Sequence, residues 1–407
     1  MPAVPGSLMP ASFQPMRPRS WWRGLLLLAW LPPLLMQSAA SLHAQPDVAI
    51  KAAHAILIDA DTGGTLFQRG ADELIYPASM SKLMTLVMVF KALKAGEIKP
   101  DDEWLMSEFA WRRGGAPSGT SAMMVPVGTK ATVEDLLKGI IVQSGNDAAI
   151  AVAEALGGNE SRFAEMMTQE ARRIGLKKSV FKNATGLFHP EHQMTVRELA
   201  KLAEYLIREY PEQYKVFALR EFPYRRHKFI NRNPLLNVVD GVDGLKTGFL
   251  KEAGYGMVVS AKQDNRRLIA VVTGLSTAEE RREDARRLLD WGFKGFSESK
   301  IFDAGEVIGH ARVWGGEHMF VALTGKGDVT IWLPRVPANQ RLRANIIYQW
   351  PLKGPVAKGD RVAMLRVTSS SEASSEVPLY AAEDVAPSGT LRRGIDSLLC
   401  LATRWLP

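Results

Sequence analysis

The chain has 407 residues, 46% of them hydrophobic and 23% charged, an ordinary globular composition with room for two or three domains. Its formal net charge of +8 suits an anionic membrane or an acidic polymer. No basic-aromatic cluster accompanies that charge, which argues against nucleic acid as a partner. The single cysteine, Cys400, excludes an internal disulfide and carries no expected chemistry.

Residues 1–44 read as an export signal. Arg17, Arg19 and Arg23 precede an apolar run at 25–31, and small residues follow at Ser38, Ala39, Ala40 and Ala44. Pro32 and Pro33 make the run a poor membrane span, which needs about 20 apolar residues; an uncleaved anchor is the alternative. From residue 49 the pattern turns to β, with strands expected over 52–60 and 65–68 around a turn. A helix follows. Pro77 stands before it, residues 83–90 are almost all apolar, and Gly96 offers a stop. A helix apolar on nearly every face is a buried one. Ser79 and Lys82, at i and i+3, share a face at its N-terminal end, where unpaired backbone N–H groups point outward. A lysine whose surroundings lower its pKa can take the proton of such a serine.

Ser144-Gly145-Asn146 follows a helix-like run at 133–141 and leads into a helix expected over 147–156, closed by Gly157 and Gly158. Thr195 and Glu198 form a capping-box signature for a further helix. Lys246-Thr247-Gly248 precedes strands expected at 253–260 and 267–274, then an amphipathic helix over 278–291. Strands at both ends with helices between them predict an α+β fold, one antiparallel sheet covered by helices. Beyond Gly295, short strands at 306–309, 320–323 and 361–367 separated by turn residues predict a small all-β domain. Residues 369–375 read as a surface loop, and Pro387-Ser388-Gly389 breaks the chain before a last helix. There Leu391, Ile395, Leu398, Ala402 and Trp405 recur at helical spacing. This helix is too short and charged to span a bilayer and suits the headgroup layer; the alternative is packing on the β-domain.

S-x-x-K, S-x-N and K-T-G in that order are the boxes of class A β-lactamases and penicillin-binding proteins. Together with the glycine-serine loop 114–121, Asn231-Arg232-Asn233 and the stretch 286–293, they make the chain resemble the serine-type D-alanyl-D-alanine carboxypeptidases, low-molecular-mass penicillin-binding proteins. The resemblance covers nearly the whole chain. It implies a β-lactamase/transpeptidase-like fold, a catalytic domain over 45–297, an all-β domain over 298–386 and a membrane-anchoring helix over 387–407. It further implies hydrolysis of the terminal D-Ala-D-Ala bond of peptidoglycan stem pentapeptides through an acyl-serine, with no cofactor or metal. β-Lactam antibiotics would be covalent inhibitors, and the protein would sit in the periplasm on the outer face of the cytoplasmic membrane.

By matching position Ser79 is the nucleophile, Lys82 its base and Ser144 the relay to the leaving amine. Asn146 would hold the substrate amide, and Lys246 would keep Lys82 neutral. Thr247 would bind the terminal carboxylate, with Gly248 allowing close approach. The backbone N–H groups of Ser79 and Phe249 would bind the oxyanion. Arg281 would supply a charge-assisted bond to the carboxylate, with Arg282, Arg286 and Arg287 as alternatives. The chain departs from the family at Phe249-Leu250, where members often carry a hydroxyl residue in the second position. A class A β-lactamase would need an E-x-x-x-N loop; residues 182–196 contain Glu191 without an asparagine four residues on. A non-catalytic peptidoglycan-binding protein is the remaining rival. His189 and His192 read as loop histidines rather than a metal pair.

Overall fold

Five antiparallel strands form the central sheet, in the order Thr65–Arg69, His54–Asp59, Arg266–Leu275, Gly254–Gln263, Val242–Leu250. These come from a computed structural model that describes residues 48–335, 341–369 and 374–403; the expected export signal and Trp405 lie outside them. Side chains alternate along each strand between two cores. Ile56, Ile58, Val258, Ile269 and Val271 pack with Leu83, Leu86 and the other helices on one face. Leu57, Val259, Leu268 and Ala270 pack with Leu288 and Leu289 of the helix Ala278–Lys294 on the other. Strands buried on both faces read as continuous apolar runs, as 268–272 does. This is the α+β arrangement expected from the sequence.

The helix Lys82–Ala95 begins from a 3₁₀ turn, Ala78–Ser81, and ends at Gly96 in the left-handed region, φ 71°. Thr195 caps the helix Val196–Glu209 by accepting from Glu198 N, but the capping box does not close. The Glu198 carboxylate accepts instead from Lys178 N and Ser179 Oγ, tying the helix start to the preceding loop.

The all-β domain has a six-stranded sheet and a separate strand pair, Phe296–Phe302 with Val329–Pro334. Val313, Val321, Leu323, Leu365 and Leu379 fill its core. The strand expected from Glu306 starts only at Gly309. Asp303 and Glu306 close a tight turn on each other: Glu306 N donates to Asp303 O, and Asp303 N to the Glu306 carboxylate. The expected loop 369–375 is also partly strand, since Ser369 ends Arg361–Ser369 and Ser374 begins Ser374–Ala381. Alternate side chains there turn inward and Ser375 is buried, so polarity alone misread the hairpin ends.

Arg266 joins the two domains. Its Nε donates to Asp59 Oδ2 at 2.8 Å and Nη1 to Gly292 O at 2.8 Å. Its guanidinium lies 3.8 Å from the ring centre of Trp332 in the β-domain. The last helix, Thr390–Thr403, touches the β-domain through polar groups: Asp396 accepts from Gly315 N at 3.1 Å and Ser397 Oγ from Trp314 Nε1 at 3.2 Å. Leu398 is 69% exposed. The side chains of Leu391, Ile395 and Ala402 lie outside those described. No helix among the described residues is long and apolar enough to cross a membrane.

Candidate active site

The three boxes converge although they come from a helix start, a turn and a strand. Ser79 sits in the 3₁₀ turn, directly after Ala78, whose φ of 51° is left-handed. Two glycines pack closely against this turn. A Cβ on Gly186, φ 75°, would stand 2.0 Å from Ala78 O; one on Gly248 would stand 3.0 Å from Pro77 O and 3.1 Å from Ala78 Cβ. Gly248 therefore brings the strand Val242–Leu250 against the nucleophile turn, a packing role beyond the substrate approach expected of it. That strand is the sheet's edge, so its free side faces Ser79.

Lys82 follows one helical turn after Ser79 and is completely buried. Its Nζ donates to Ser79 Oγ at 2.9 Å, to Asn146 Oδ1 at 2.6 Å and to Thr185 O at 2.6 Å. Burial, reinforced by the positive charge of Arg232, pushes the amine down to about 7. Lys246 is buried as well, and its Nζ donates to Thr247 O at 3.2 Å. Burial and then Lys82, Arg232 and Arg281 hold it well below the usual lysine range.

Ser144 ends a π-helical turn, Gly139–Gln143, in the left-handed region, φ 63°. Its buried Oγ has no protein partner among the described residues and lines the pocket. Asn146 opens the helix Asn146–Gly157, its N donating to Ser121 O and its Nδ2 to Thr120 Oγ1 at 2.9 Å. Both ends of its carboxamide are thus engaged, one on Lys82. Beside it the buried Asp147 accepts from Met123 N at 2.7 Å and fixes the neighbouring loop.

A cavity of about 380 Å³ gathers Ser79, Ser144, Thr247, Gly248, Phe249 and Arg281. Arg281 is the arginine turned into it: Arg282 pairs with Glu279, Arg286 with Glu283 and Asp290, and Arg287 with Glu283 along the outer helix surface. The Arg281 guanidinium lies over the Tyr255 ring, and Phe249 packs on the same ring with centroids 4.3 Å apart. Sequence reasoning missed Ser121, Arg232 and Tyr255, which also line the cavity. Arg232 Nη1 donates to Ser121 Oγ at 2.7 Å. The stretch 231–233 carried the signal, as a charged residue between two asparagines, yet the role depends on a partner far away in sequence.

Glu191 lies outside the cavity, paired with Lys182 at the surface. His192 lies in a loop, as expected, where it is buried edge-on to Phe181 with Nδ1 accepting from Lys182 N. Burial pushes it down to about 3, so it is neutral. Among the described residues no group of three or more His, Cys, Asp or Glu could hold a metal ion.

A serine bonded to a buried lysine, with an unpaired hydroxyl lining the same cavity, is the equipment of serine acyl transfer. Comparison with known proteins agrees. Residues 39–277 match the D-alanyl-D-alanine carboxypeptidase family, and residues 296–387 match the penicillin-binding protein 5 C-terminal domain. The chain belongs to the D-alanyl-D-alanine carboxypeptidase family. It is 32% identical to D-alanyl-D-alanine carboxypeptidase DacF of Bacillus subtilis (strain 168), over 90% of this chain and 93% of that one. Penicillin-binding protein 5 from Haemophilus influenzae superposes with a TM-score of 0.69 and 34% identity, covering 84% of this chain and 99% of that one. Penicillin-binding protein D2 from Listeria monocytogenes, solved in a cefotaxime-bound form, is 31% identical with a TM-score of 0.57, covering 61% of this chain and all of that one (100%).

Proposed function

We propose that the protein is a serine D-alanyl-D-alanine carboxypeptidase that trims peptidoglycan stem pentapeptides and is acylated by β-lactams. The observation that carries this reading is the Lys82 amine, buried, depressed to about 7 and 2.9 Å from Ser79 Oγ. Neutral Lys82 takes the Ser79 proton as Oγ attacks the carbonyl of the penultimate D-alanine. The oxyanion is held by the N–H groups of Ser79 and Phe249. The proton passes from Lys82 through the Ser144 hydroxyl to the leaving nitrogen, the C–N bond breaks, and D-alanine departs. Water then adds to the ester carbonyl, and Ser79 leaves with its proton restored. Arg281 and Thr247 receive the terminal carboxylate, while Asn146 holds Lys82 and exchanges Thr120 for the substrate amide. In a β-lactam the severed nitrogen stays tethered to the acyl group, which blocks the approach of water and prolongs the adduct.

The domain limits proposed are those given by the sequence: 1–44, 45–297, 298–386 and 387–407. The last helix is proposed to rest on the outer face of the cytoplasmic membrane, supported by its basic residues and by the exposure of Leu398. Incubation of the purified protein with a D-Ala-D-Ala-terminated peptide tests the activity. Release of free D-alanine, together with a stable labelled-penicillin adduct, is expected; rapid penicillin turnover or no adduct would reject it.

A further inference from the structure

Two contacts of the catalytic machinery come from one short loop, 183–187. Thr185 O accepts from Lys82 Nζ at 2.6 Å, and Gly186 lies against Ala78 of the nucleophile turn. The preceding carbonyl, Ala184 O, accepts from the buried Thr85 Oγ1 at 2.7 Å. Lys82 and Thr85 stand at i and i+3 in the helix Lys82–Ala95, so both carbonyls meet one helix face.

In a trans peptide unit the N–H points opposite the carbonyl. Aiming two successive carbonyls at the helix therefore turns the next two N–H groups, those of Thr185 and Gly186, away from it, and buried N–H groups need an acceptor. Asn183 Oδ1 is that acceptor for both, at 3.1 and 2.7 Å. Thr185 Oγ1 donates to the same oxygen at 3.0 Å, and Asn183 Nδ2 donates to Leu187 O at 3.0 Å. The carboxamide thus closes the loop on itself and reaches no catalytic side chain.

We propose that Asn183 is a positioning residue for acylation, in that its carboxamide oxygen gathers the Thr185 and Gly186 N–H groups and so aims the Thr185 carbonyl at the Lys82 amine. This step rests on the carboxypeptidase reading of Ser79 and Lys82. A carbonyl facing an amine favours the charged form, so its withdrawal lowers the amine's proton affinity. Among the charges around Lys82, Arg232 acts in the same direction as burial, and Asp147 and Glu160 oppose it. Lys246 is itself held down by burial and by Lys82, and His192 is neutral. Glu160 is tied to the loop, accepting from Ala184 N at 3.0 Å, and its retreat from Lys82 would also lower the amine.

The test follows labelled-penicillin acylation of the full protein across pH, reading the rate and the labelled fraction separately. Asn183→Ala should acylate about 10²-fold more slowly, the scale of a displacement of about 1 Å at a reacting group. Its pH midpoint should fall roughly one unit below that of the wild type, which Lys82 sets near 7. Asn183→Asp keeps an oxygen for both N–H groups and should recover the rate to within about tenfold of wild type. Its negative charge should leave the midpoint at or above the wild-type one. An unchanged midpoint in Asn183→Ala would make the loop a packing element and overturn the proposal. So would an Asn183→Asp protein that fails to fold or acylates no faster than Asn183→Ala. Should Asn183→Ala not fold, Asn183→Asp decides, and a midpoint below wild type overturns the proposal. Absence of any adduct on the wild-type protein would reject the acyl-transfer reading, and the proposal with it.

Discussion

Lys82 Nζ and Ser79 Oγ stand 2.9 Å apart at the start of a helix whose first residue is completely buried. The amine has two further acceptors, Asn146 Oδ1 and Thr185 O. It is therefore held in place by groups that do not react, and the serine is its third partner. Ser79→Ala leaves the other two intact. That variant should keep its fold and lose both D-alanine release and penicillin labelling by more than about 10³-fold. Persistence of the adduct would remove Ser79 from the nucleophile role.

The two lysines should behave differently. Lys82→Arg places a permanently charged group beside Ser79 and should abolish acylation, whereas Lys246→Arg leaves the Lys82–Ser79 pair intact and should lose less. Wild-type acylation requires the neutral Lys82 amine. Because that amine is lowered to about 7, the rate should fall about tenfold per unit as pH drops below 7 and level off above it. A pH profile of labelled-penicillin acylation checks the sign, and a rate that rises on acidification would contradict it.

Gly186→Ala should harm the site without touching substrate. Its φ of 75° is left-handed, and a Cβ there would collide with Ala78 O and Ser81 Oγ. The strain and overpacking are worth about 2–5 kcal/mol. If the turn moves by about 1 Å to relieve them, acylation should fall about 10²-fold. Chemical denaturation and labelling rates measure the two effects separately.

Arg266→Met tests the domain junction. It leaves the carboxylate of Asp59, fully buried, without its ionic partner, although Asp61 N and Thr62 still donate to it. Stability should drop by about 3–5 kcal/mol. The Trp332 contact is lost at the same time, so limited proteolysis should release the β-domain more readily, while penicillin labelling of the folded fraction is retained.

A chain ending at Gly389 should remain folded and active and move from the membrane fraction to the soluble one. The contacts of Asp396 and Ser397 with Gly315 and Trp314 are few and polar, so their loss should lower stability only slightly. Unfolding of the shortened chain, or unchanged membrane association, would make the helix a packing element of the β-domain.

The sequence revealed what is local. Apolar periodicity and stop glycines marked the buried helix after Ser79, and continuous apolar runs marked the sheet strands, because both signals are written within a few residues. The three boxes were legible for the same reason. Arg232 was not, since its partner Ser121 and the lysines it influences come from other segments. Nor could the sequence reveal that Arg281 alone turns inward; its neighbours are distinguished by acids one helical turn away, and only the packing of the helix on the sheet decides which face is free. Ser375 was misread because polarity was taken for exposure, whereas an inward-facing strand position buries it.

The grip of Gly186 and Gly248 on the turn around Ala78 has a consequence for the order of assembly. Both glycines lie more than about 100 residues beyond Ser79 in the chain, so the turn meets its full set of neighbours only when segments distant in sequence have come together. The geometry of the nucleophile turn thus depends on non-local contacts, whose loop-closure cost makes them slower to form than a helix. Competence to react with a fluorescent penicillin consequently serves as a clock, registering the moment at which sequence-distant segments have come together rather than the earlier appearance of helices.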